Sequence, residues 1–155
     1  MGDAAMATER AYLLFDRRAT KDKISKGGTR IPDNIDAVFR NYGKTPAIVK
    51  AIDVTFEYFD SRPVSLPRNV MAKTLVGTVV SSDHDFTTVR LAYTAGPGQT
   101  NKSWMGNNGG GVYLLGIAYY TDVFGRECET GVCWRYSVGD HDFVLIDDPE
   151  LNYQR

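Results

Sequence analysis

The chain has little of the side-chain chemistry that marks most enzymes and metalloproteins. Its 155 residues include only two cysteines and two histidines. No serine lies in a nucleophile-elbow motif, and no glycine-rich segment has the G-x-x-x-x-G-K-[ST] spacing of a phosphate-binding loop. No cofactor is predicted, and these absences favour a protein that is not an enzyme.

Long apolar runs and an excess of one charge are absent as well. No stretch approaches the roughly 20 apolar residues of a membrane-spanning helix, and the start of the chain lacks the apolar core of a signal peptide. Eighteen basic side chains nearly balance nineteen acidic ones and are spread along the chain, which leaves a net charge of −1. This distribution provides no footprint for nucleic acid or for an anionic membrane.

The densest basic stretch runs from residue 17 to residue 30 and contains no aromatic side chain. Because its charges are interspersed with Asp, Ser and Gly, we predict a solvated loop in preference to a nucleic-acid-binding arm. Its basic members are Arg17, Arg18, Lys21, Lys23, Lys26 and Arg30.

A chain of this length fits one domain and can bury about 70% of the surface that its unfolded form exposes. The opening MGDAAM is small and aperiodic, and the second methionine at position 6 suggests a vector remnant or a disordered start. We therefore assign residues 1–8 to such a start and residues 9–155 to a single domain.

Apolar and polar residues alternate along most of the chain. In AIVKAIDVTFEYFD, Ile52 and Val54 alternate with Asp53 and Thr55, while Lys50 is an exception on the apolar face. A period of two is typical of a half-buried strand. Seven further segments complete a set of about eight predicted strands: RAYLLFD, NIDAVFRN, KTLVGTVV, FTTVRLAY, GVYLLGIAYYT, RECETGVCWRYSV and DFVLI.

Turn signals rich in Gly, Pro, Asn and Asp separate these segments. We therefore predict an all-β fold, a single antiparallel β-sandwich of about 7–9 strands. Helix is expected in one short segment at most, either within PRNVMAKTLV or within the first dozen residues.

Several motifs resemble the outer domain of a group of uncharacterised bacterial membrane-anchored proteins. They are an R-A-Y strand at 10–12, an N-x-G-K-T-P-A turn at 41–47, a Y-x-D-x-F-G hairpin at 120–125, a C-[WFY]-x-Y segment at 133–136 and PELNY at 149–153. The resemblance extends over roughly residues 9–153. It implies an immunoglobulin-like (Ig-like) sandwich on the periplasmic or extracellular face of the inner membrane, held by an anchor outside this sequence. It implies no particular activity.

Two of these motifs also have a physical explanation. In YGKTPA, Gly43 is predicted to supply a positive φ, and Pro46 biases Thr45 towards an extended conformation. In DVFG, Asp122 is predicted to bind turn amides, and Gly125 is predicted to take the left-handed position of a hairpin turn.

Both histidines lie in Asp-His-Asp tripeptides, Asp83-His84-Asp85 and Asp140-His141-Asp142. Two imidazoles with carboxylates could form a transition-metal site, as a metal-dependent hydrolase or oxygenase would require. However, an extended tripeptide directs its histidine and its aspartates to opposite faces. Both tripeptides also adjoin turn residues, where aspartates commonly bind local amides. We favour two turns without a metal.

Cys128 and Cys133 can be arranged in two ways. With a hairpin turn at DVFG, they lie about 16 Å apart on opposite faces of one strand, which forbids a disulfide. With a turn at ETGV, they would face each other across a hairpin. The parity of neighbouring residues favours the first arrangement, with Cys128 and Trp134 on the apolar face and Cys133 and Arg135 on the polar face.

The long glycine-rich segment AGPGQTNKSWMGNNGGG is the candidate binding loop. Trp104 offers a rigid contact surface, and nearby amide side chains offer donors and acceptors suited to sugars or peptide backbone. These amides belong to Gln99, Asn101, Asn107 and Asn108. The alternative is a plain connector with Trp104 packed on the core.

These observations favour a non-enzymatic binding or accessory module whose partner is an unknown protein or glycan, and not nucleic acid. The membrane is involved only through the anchor that the resemblance implies. A structural or assembly protein, cytoplasmic or phage-borne, is the alternative. A metal-dependent enzyme that uses His84 and His141 is the third hypothesis.

Overall fold

The computed structural model describes residues 10–24, 31–66, 78–94, 109–137 and 140–155. Within these ranges the chain forms nine strands and one short helix, which confirms an all-β fold with little helix. In chain order they are β1 (Leu13–Phe15), α1 (Arg17–Asp22), β2 (Asn34–Asn41), β3 (Ala47–Ser61), β4 (Thr78–Val80), β5 (Phe86–Thr94), β6 (Gly109–Thr121), β7 (Glu127–Ser137), β8 (Asp142–Leu145) and β9 (Tyr153–Gln154).

The strands form one hydrogen-bonded sheet that curls into a half-barrel. The order across it is β1, β2, β5, β3, β6, β7, β8, with β4 beside β3 and β9 beside β7. The prediction that all strands pair antiparallel was wrong at one junction. Strands β3 and β5 run parallel where Phe56 lies beside Tyr93. The chain reverses direction twice between these strands, through β4, so β5 returns in the direction of β3.

A β-bulge in β3 explains the exposed lysine in its alternating pattern. Val49 and Ala51 lie opposite two consecutive residues of β6, Tyr120 and Tyr119, so Lys50 is the extra residue. Odd-numbered positions are buried before the bulge and even-numbered positions after it. The bulge therefore keeps both halves of the strand facing the core while Lys50 points to solvent.

Two apolar clusters cover the two faces of the central strands. The larger one fills the inside of the curl, where Phe15, Phe56, Tyr136 and Phe143 make edge-to-face and tilted ring contacts. The smaller one lies on the outer face and consists of Leu66, Tyr113, Leu115, Ile117, Cys133 and Leu151. Because Leu151 belongs to the C-terminal segment, this segment covers the outer face. Leu114 on the inner face of β6 and Leu115 on its outer face are therefore both buried.

Helix α1 corrects the prediction of a solvated loop at the start of the basic stretch, and it lies outside both segments where a helix was expected. The Asp16 carboxylate accepts a hydrogen bond from the Ala19 N–H at 3.0 Å and caps the helix. The buried Thr20 hydroxyl accepts one from the Val38 N–H at 2.9 Å, which binds the helix to β2. The missed signal was an aspartate at the N-cap position. No helix in the described ranges is long and apolar enough to cross a membrane.

Candidate functional site

Asn41, from the N-x-G-K-T-P-A turn, forms hydrogen bonds with three separate segments of the chain. Its side chain is fully buried. The Oδ1 atom accepts hydrogen bonds from the N–H groups of Tyr12 and Gly43 at 3.1 and 2.9 Å. The Nδ2 atom donates to the carbonyls of Thr45 and Val80 at 2.8 and 3.1 Å. A side chain engaged in this way supports the fold and is not available to a ligand.

Gly43 has a different role from the one predicted, because its φ is not positive. A Cβ atom at this position would lie within 2.7 Å of the Ala11 Cα and of the Tyr12 nitrogen. Glycine is therefore required because the turn packs directly against the backbone of the R-A-Y segment.

The DVFG turn agrees with its prediction. Asp122 Oδ1 accepts hydrogen bonds from the N–H groups of Phe124 and Arg126 at 2.9 and 3.0 Å. Gly125 has a φ of +78°, in the left-handed region. This turn, like the Asn41 turn, therefore has an architectural role.

The two cysteines lie on one strand, as the favoured arrangement predicted. Both are free, with Cys128 in the inner cluster and Cys133 in the outer one. The prediction that Cys133 occupies a polar face was wrong, because the C-terminal segment covers it. Burial raises the pKa of the Cys133 thiol to about 12. The thiol is therefore protonated near neutral pH, which disfavours a role as a nucleophile.

The Asp-His-Asp tripeptides occupy two separate turns, β4–β5 and β7–β8, and neither is extended. Asp83, His84 and His141 have left-handed φ angles of 62°, 69° and 49°. The ring of His84 packs edge-on against Tyr42, whereas Nδ1 of His141 lies 3.2 Å from the Tyr136 hydroxyl. In the described part of the chain, no three His, Cys, Asp or Glu side chains are grouped as a metal site would require.

The aspartates of these tripeptides are engaged locally. Asp85 accepts a hydrogen bond from the Ser81 N–H at 3.0 Å, and Asp140 accepts one from the Ser137 hydroxyl at 3.1 Å. These contacts confirm the interpretation of the segments as turns.

Asp142 connects the start of β8 to helix α1. Its Oδ2 atom lies 2.6 Å from Arg17 Nη1 and 3.2 Å from Lys21 Nζ. Burial pushes the pKa of this carboxyl upwards, but the Phe143 N–H and the two cations outweigh it, so the net pKa is lowered. The basic side chains of α1 are thus partly neutralised within the fold.

The predicted binding loop belongs to the segment between β5 and β6. Its residues Gln99, Asn101, Trp104, Asn107 and Asn108 lie outside the described residues. The assignment of Trp104 to a ligand site stays a prediction.

A cleft of about 420 Å³ on the described surface lies between strands from opposite ends of the sheet. Strand β1 forms one wall and strands β7 and β9 form the other. Its lining residues are Leu14, Phe15, Thr130, Gly131, Val132, Trp134, Asn152, Tyr153 and Gln154. We call it the β1–β9 cleft. None of these side chains carries a charge, and neither the histidines nor the cysteines line it.

Aromatic and amide groups give the β1–β9 cleft its chemical character. Trp134 is partly buried, and its ring packs against Phe15 at 5.5 Å between centroids. Tyr153 packs over Gly131, where a Cβ atom would collide with the tyrosine ring. Gln154 is exposed at the rim. Sequence reasoning missed this cleft because its walls come from β1 and from the C-terminal end of the chain, and their proximity depends on the curl of the sheet.

A second cavity, about 350 Å³, lies against β6 and β7 and includes Lys50, Glu127, Glu129 and Arg155 in its lining. Its charges are of both signs, and Arg155 Nη1 lies 3.5 Å from Glu129 Oε1. This mixture is typical of a solvated surface.

Comparisons of the chain with protein-family models, curated proteins and solved structures gave no match.

Proposed function

We propose that this domain is a non-enzymatic binding module and that the β1–β9 cleft is its binding site. The observation that carries the proposal is a 420 Å³ cleft with Trp134, Tyr153 and Gln154 in its lining. Partly apolar clefts with a few polar groups are the usual form of binding sites. The described residues that line this cleft carry no charge, which favours recognition over acid–base chemistry.

The motif resemblance supports two further parts of the proposal, an Ig-like relationship and display on the periplasmic or extracellular side of a bacterial inner membrane through an anchor. Labelling tests the display. A Lys44→Cys variant would introduce an exposed thiol, while the native thiols are buried. In cells that express the complete natural gene, a membrane-impermeant maleimide should label the variant before lysis. Labelling only after lysis would contradict display and would favour the cytoplasmic assembly protein.

A matched pair of tryptophan variants tests the cleft. Gln154→Trp would fill the rim of the cleft, whereas Val79→Trp would place the same indole on β4, where Val79 is 56% exposed. Wild-type protein is applied to a peptide array and to a glycan array. A ligand from either array should bind the Val79→Trp variant normally and the Gln154→Trp variant at least about tenfold more weakly, because filling the pocket removes contact area. The proposal fails if neither array yields a ligand, or if Gln154→Trp binds as well as wild type.

A further inference from the structure

The second cavity, about 350 Å³ in volume, contains two charges that the fold leaves without a partner. Four charged side chains line it: Lys50, Glu127, Glu129 and Arg155. Arg155 and Glu129 are paired with each other. Among the described residues, the side chains of Lys50 and Glu127 have neither an ion-pair nor a hydrogen-bond partner. We call this space the Lys50–Glu127 cavity.

The β-bulge of β3 places Lys50 at the wall of this cavity. The register shifts between Val49 and Ala51, opposite Tyr120 and Tyr119 of β6. Both tyrosines also line the cavity, so the bulge and the cavity lie at the same point of the sheet. Bulges are frequent beside binding and active sites, where they redirect a side chain. The irregularity that turns Lys50 to solvent therefore also brings it to the cavity.

Glu127 lies on the other side of the cavity. Thr121 of β6 pairs with Ile48 of β3 on one side and with Glu127 of β7 on the other. Two strand spacings, roughly 10 Å, therefore separate the strand of Lys50 from the strand of Glu127. Thr121 itself lines the cavity. The cavity thus has a cation on one side, an anion on the other and a threonine hydroxyl between them.

The remaining two charges are engaged within the fold. Glu129 Oε1 lies 3.5 Å from Arg155 Nη1 and accepts a hydrogen bond from the Tyr153 hydroxyl at 3.1 Å. The Arg155 guanidinium lies over the Tyr153 ring, 4.4 Å from its centroid. Recognition of a charged ligand therefore depends on Lys50 and Glu127.

A ligand that fills this cavity has to satisfy both free charges, because burial of an unpaired charge is costly. An anion would pair with Lys50 and leave Glu127 unpaired, and a cation would do the reverse. A neutral sugar would pair with neither charge. The ligand therefore carries a carboxylate and an ammonium group. The volume of 350 Å³ lies within the range of about 300–1,000 Å³ that is usual for small-molecule pockets.

A second copy of this chain is a poorer match. A two-fold symmetric dimer presents the same patch from both copies, which would match Lys50 and Glu127 reciprocally. The same symmetry would also place one concave surface against another, and neither copy would fill the cavity of the other. A small molecule fills it directly.

We propose that the Lys50–Glu127 cavity binds a free α-amino acid. The ligand carboxylate lies against the Lys50 ammonium group, and the ligand ammonium group donates to the Glu127 carboxylate. Hydrogen bonds between charged groups of this kind are the strong ones. This second site goes beyond the proposed function and does not depend on it, because the described lining residues of the two cavities do not overlap.

Titration of the whole ¹⁵N-labelled chain with each standard L-amino acid tests the proposal by NMR. At least one amino acid should bind with a Kd of about 1 mM or tighter. It should shift the amide signals of Lys50, Thr121 and Glu127, and it should leave those of Trp134 and Gln154 in place.

Derivatives of the best-binding amino acid remove its charges one at a time. The amino-acid amide lacks the carboxylate, and the N-acetyl amino acid lacks the ammonium group. Each derivative should bind at least about tenfold more weakly, because each loses one hydrogen bond between charged groups.

Matching variants assign each ligand charge to a residue. Lys50→Met should weaken binding about tenfold or more and should no longer distinguish the amino acid from its amide. Glu127→Gln should likewise no longer distinguish it from the N-acetyl form. The controls Lys44→Met and Glu150→Gln change exposed side chains outside the cavity, so they should bind within about twofold of wild type. Melting temperatures establish that all four variants are folded.

Several results would overturn the amino-acid site. If no standard amino acid binds, or if either variant at Lys50 or Glu127 binds as well as wild type, the free charges do not hold such a ligand. Shifts confined to Trp134 and Gln154 would place the ligand in the β1–β9 cleft, which contradicts this site while supporting the proposed function. A wild-type dimer in sedimentation that becomes monomeric in both variants would show that a second copy pairs with the two charges.

Discussion

The side chain of Asn152 pairs with both backbone groups of Cys133. Its Oδ1 atom accepts a hydrogen bond from the Cys133 N–H at 3.0 Å, and its Nδ2 atom donates to the Cys133 carbonyl at 2.8 Å. Nδ2 also donates to the Ile146 carbonyl at 2.6 Å. The Asn152 amide therefore forms the hydrogen bonds that a neighbouring strand would form with Cys133 of β7, at a point between β8 and β9. These bonds hold the C-terminal segment over the outer apolar cluster.

Replacement of Asn152 with alanine should loosen this segment and expose the Cys133 thiol. Three hydrogen bonds are lost and a buried N–H is left unpaired, so the free energy of unfolding should fall by about 2–4 kcal/mol. Ellman's reagent at pH 8 should modify neither native cysteine in wild type and one cysteine in the variant. Asn34→Ala, at an exposed position of β2, should change stability by less than about 0.5 kcal/mol. Equal thiol reactivity in wild type and Asn152→Ala would contradict the conclusion that Asn152 holds the C-terminal segment over Cys133.

Local periodicity was sufficient to predict the all-β class and most of the strands in the described residues. The segment NIDAVFRN coincides with β2, and the face that contains Ile35, Ala37 and Phe39 is buried. The DVFG hairpin placed the two cysteines correctly because a tight turn fixes the register of both flanking strands. In these cases the decisive interactions are between residues close together in the sequence, so they can be predicted from it.

The remaining features depend on contacts between distant segments. Cys133 shares its face of β7 with Glu129 and Arg135, so nothing local indicates that Leu151 covers it. The alternation of apolar and polar residues likewise does not indicate that β3 pairs in parallel with β5, or that Gly43 approaches Ala11 closely. The β1–β9 cleft belongs to the same class, because it exists only once the sheet has curled.

Replacement of Gly43 with alanine should destabilise the domain strongly. The new methyl group would collide with the Ala11 and Tyr12 backbone, which is held in place by the side chain of Asn41. We expect a loss of about 3 kcal/mol or more in urea unfolding, since overpacking against backbone cannot be relieved by a rotamer change. Gly125→Asn is the matched control, because a Cβ there meets open space and asparagine tolerates a left-handed φ. The close-approach explanation is wrong if both variants lose similar stability.

Acid should weaken the connection between α1 and β8. The pKa of Asp142 is lowered in the folded state, because the Phe143 N–H, Arg17 and Lys21 outweigh the effect of burial. The carboxylate therefore contributes stability above its unfolded pKa of about 3.9, and this contribution is lost as the pH falls through the lower folded value.

Asp142→Asn measures this contribution. The variant should lose about 1 kcal/mol at pH 7, and the difference from wild type should vanish as the pH falls from about 4 to about 2. Asp147→Asn, at an exposed position nearby, should follow the wild-type profile. A difference between Asp142→Asn and wild type that persists unchanged at pH 2 would show that the effect is not ionic. Chemical unfolding monitored by tryptophan fluorescence at each pH supplies the curves.

The two histidines are expected to act as turn residues and not as metal ligands. His84 and His141 lie in different turns and have left-handed φ angles, and His141 is engaged with the Tyr136 hydroxyl.

Because asparagine tolerates a left-handed φ, the His84→Asn, His141→Asn double variant removes both imidazoles with little backbone strain. Elemental analysis of tag-free protein should find well under about 0.1 transition-metal ion per chain in wild type and variant alike, since a stable site needs three or four ligands in one place. The melting temperature should fall by only a few degrees, about what the loss of one partly exposed hydrogen bond costs a domain of this size. A stoichiometric metal in wild type that the double variant lacks would show that the turns come together, and it would make the metal-dependent enzyme, so far the third hypothesis, the leading one.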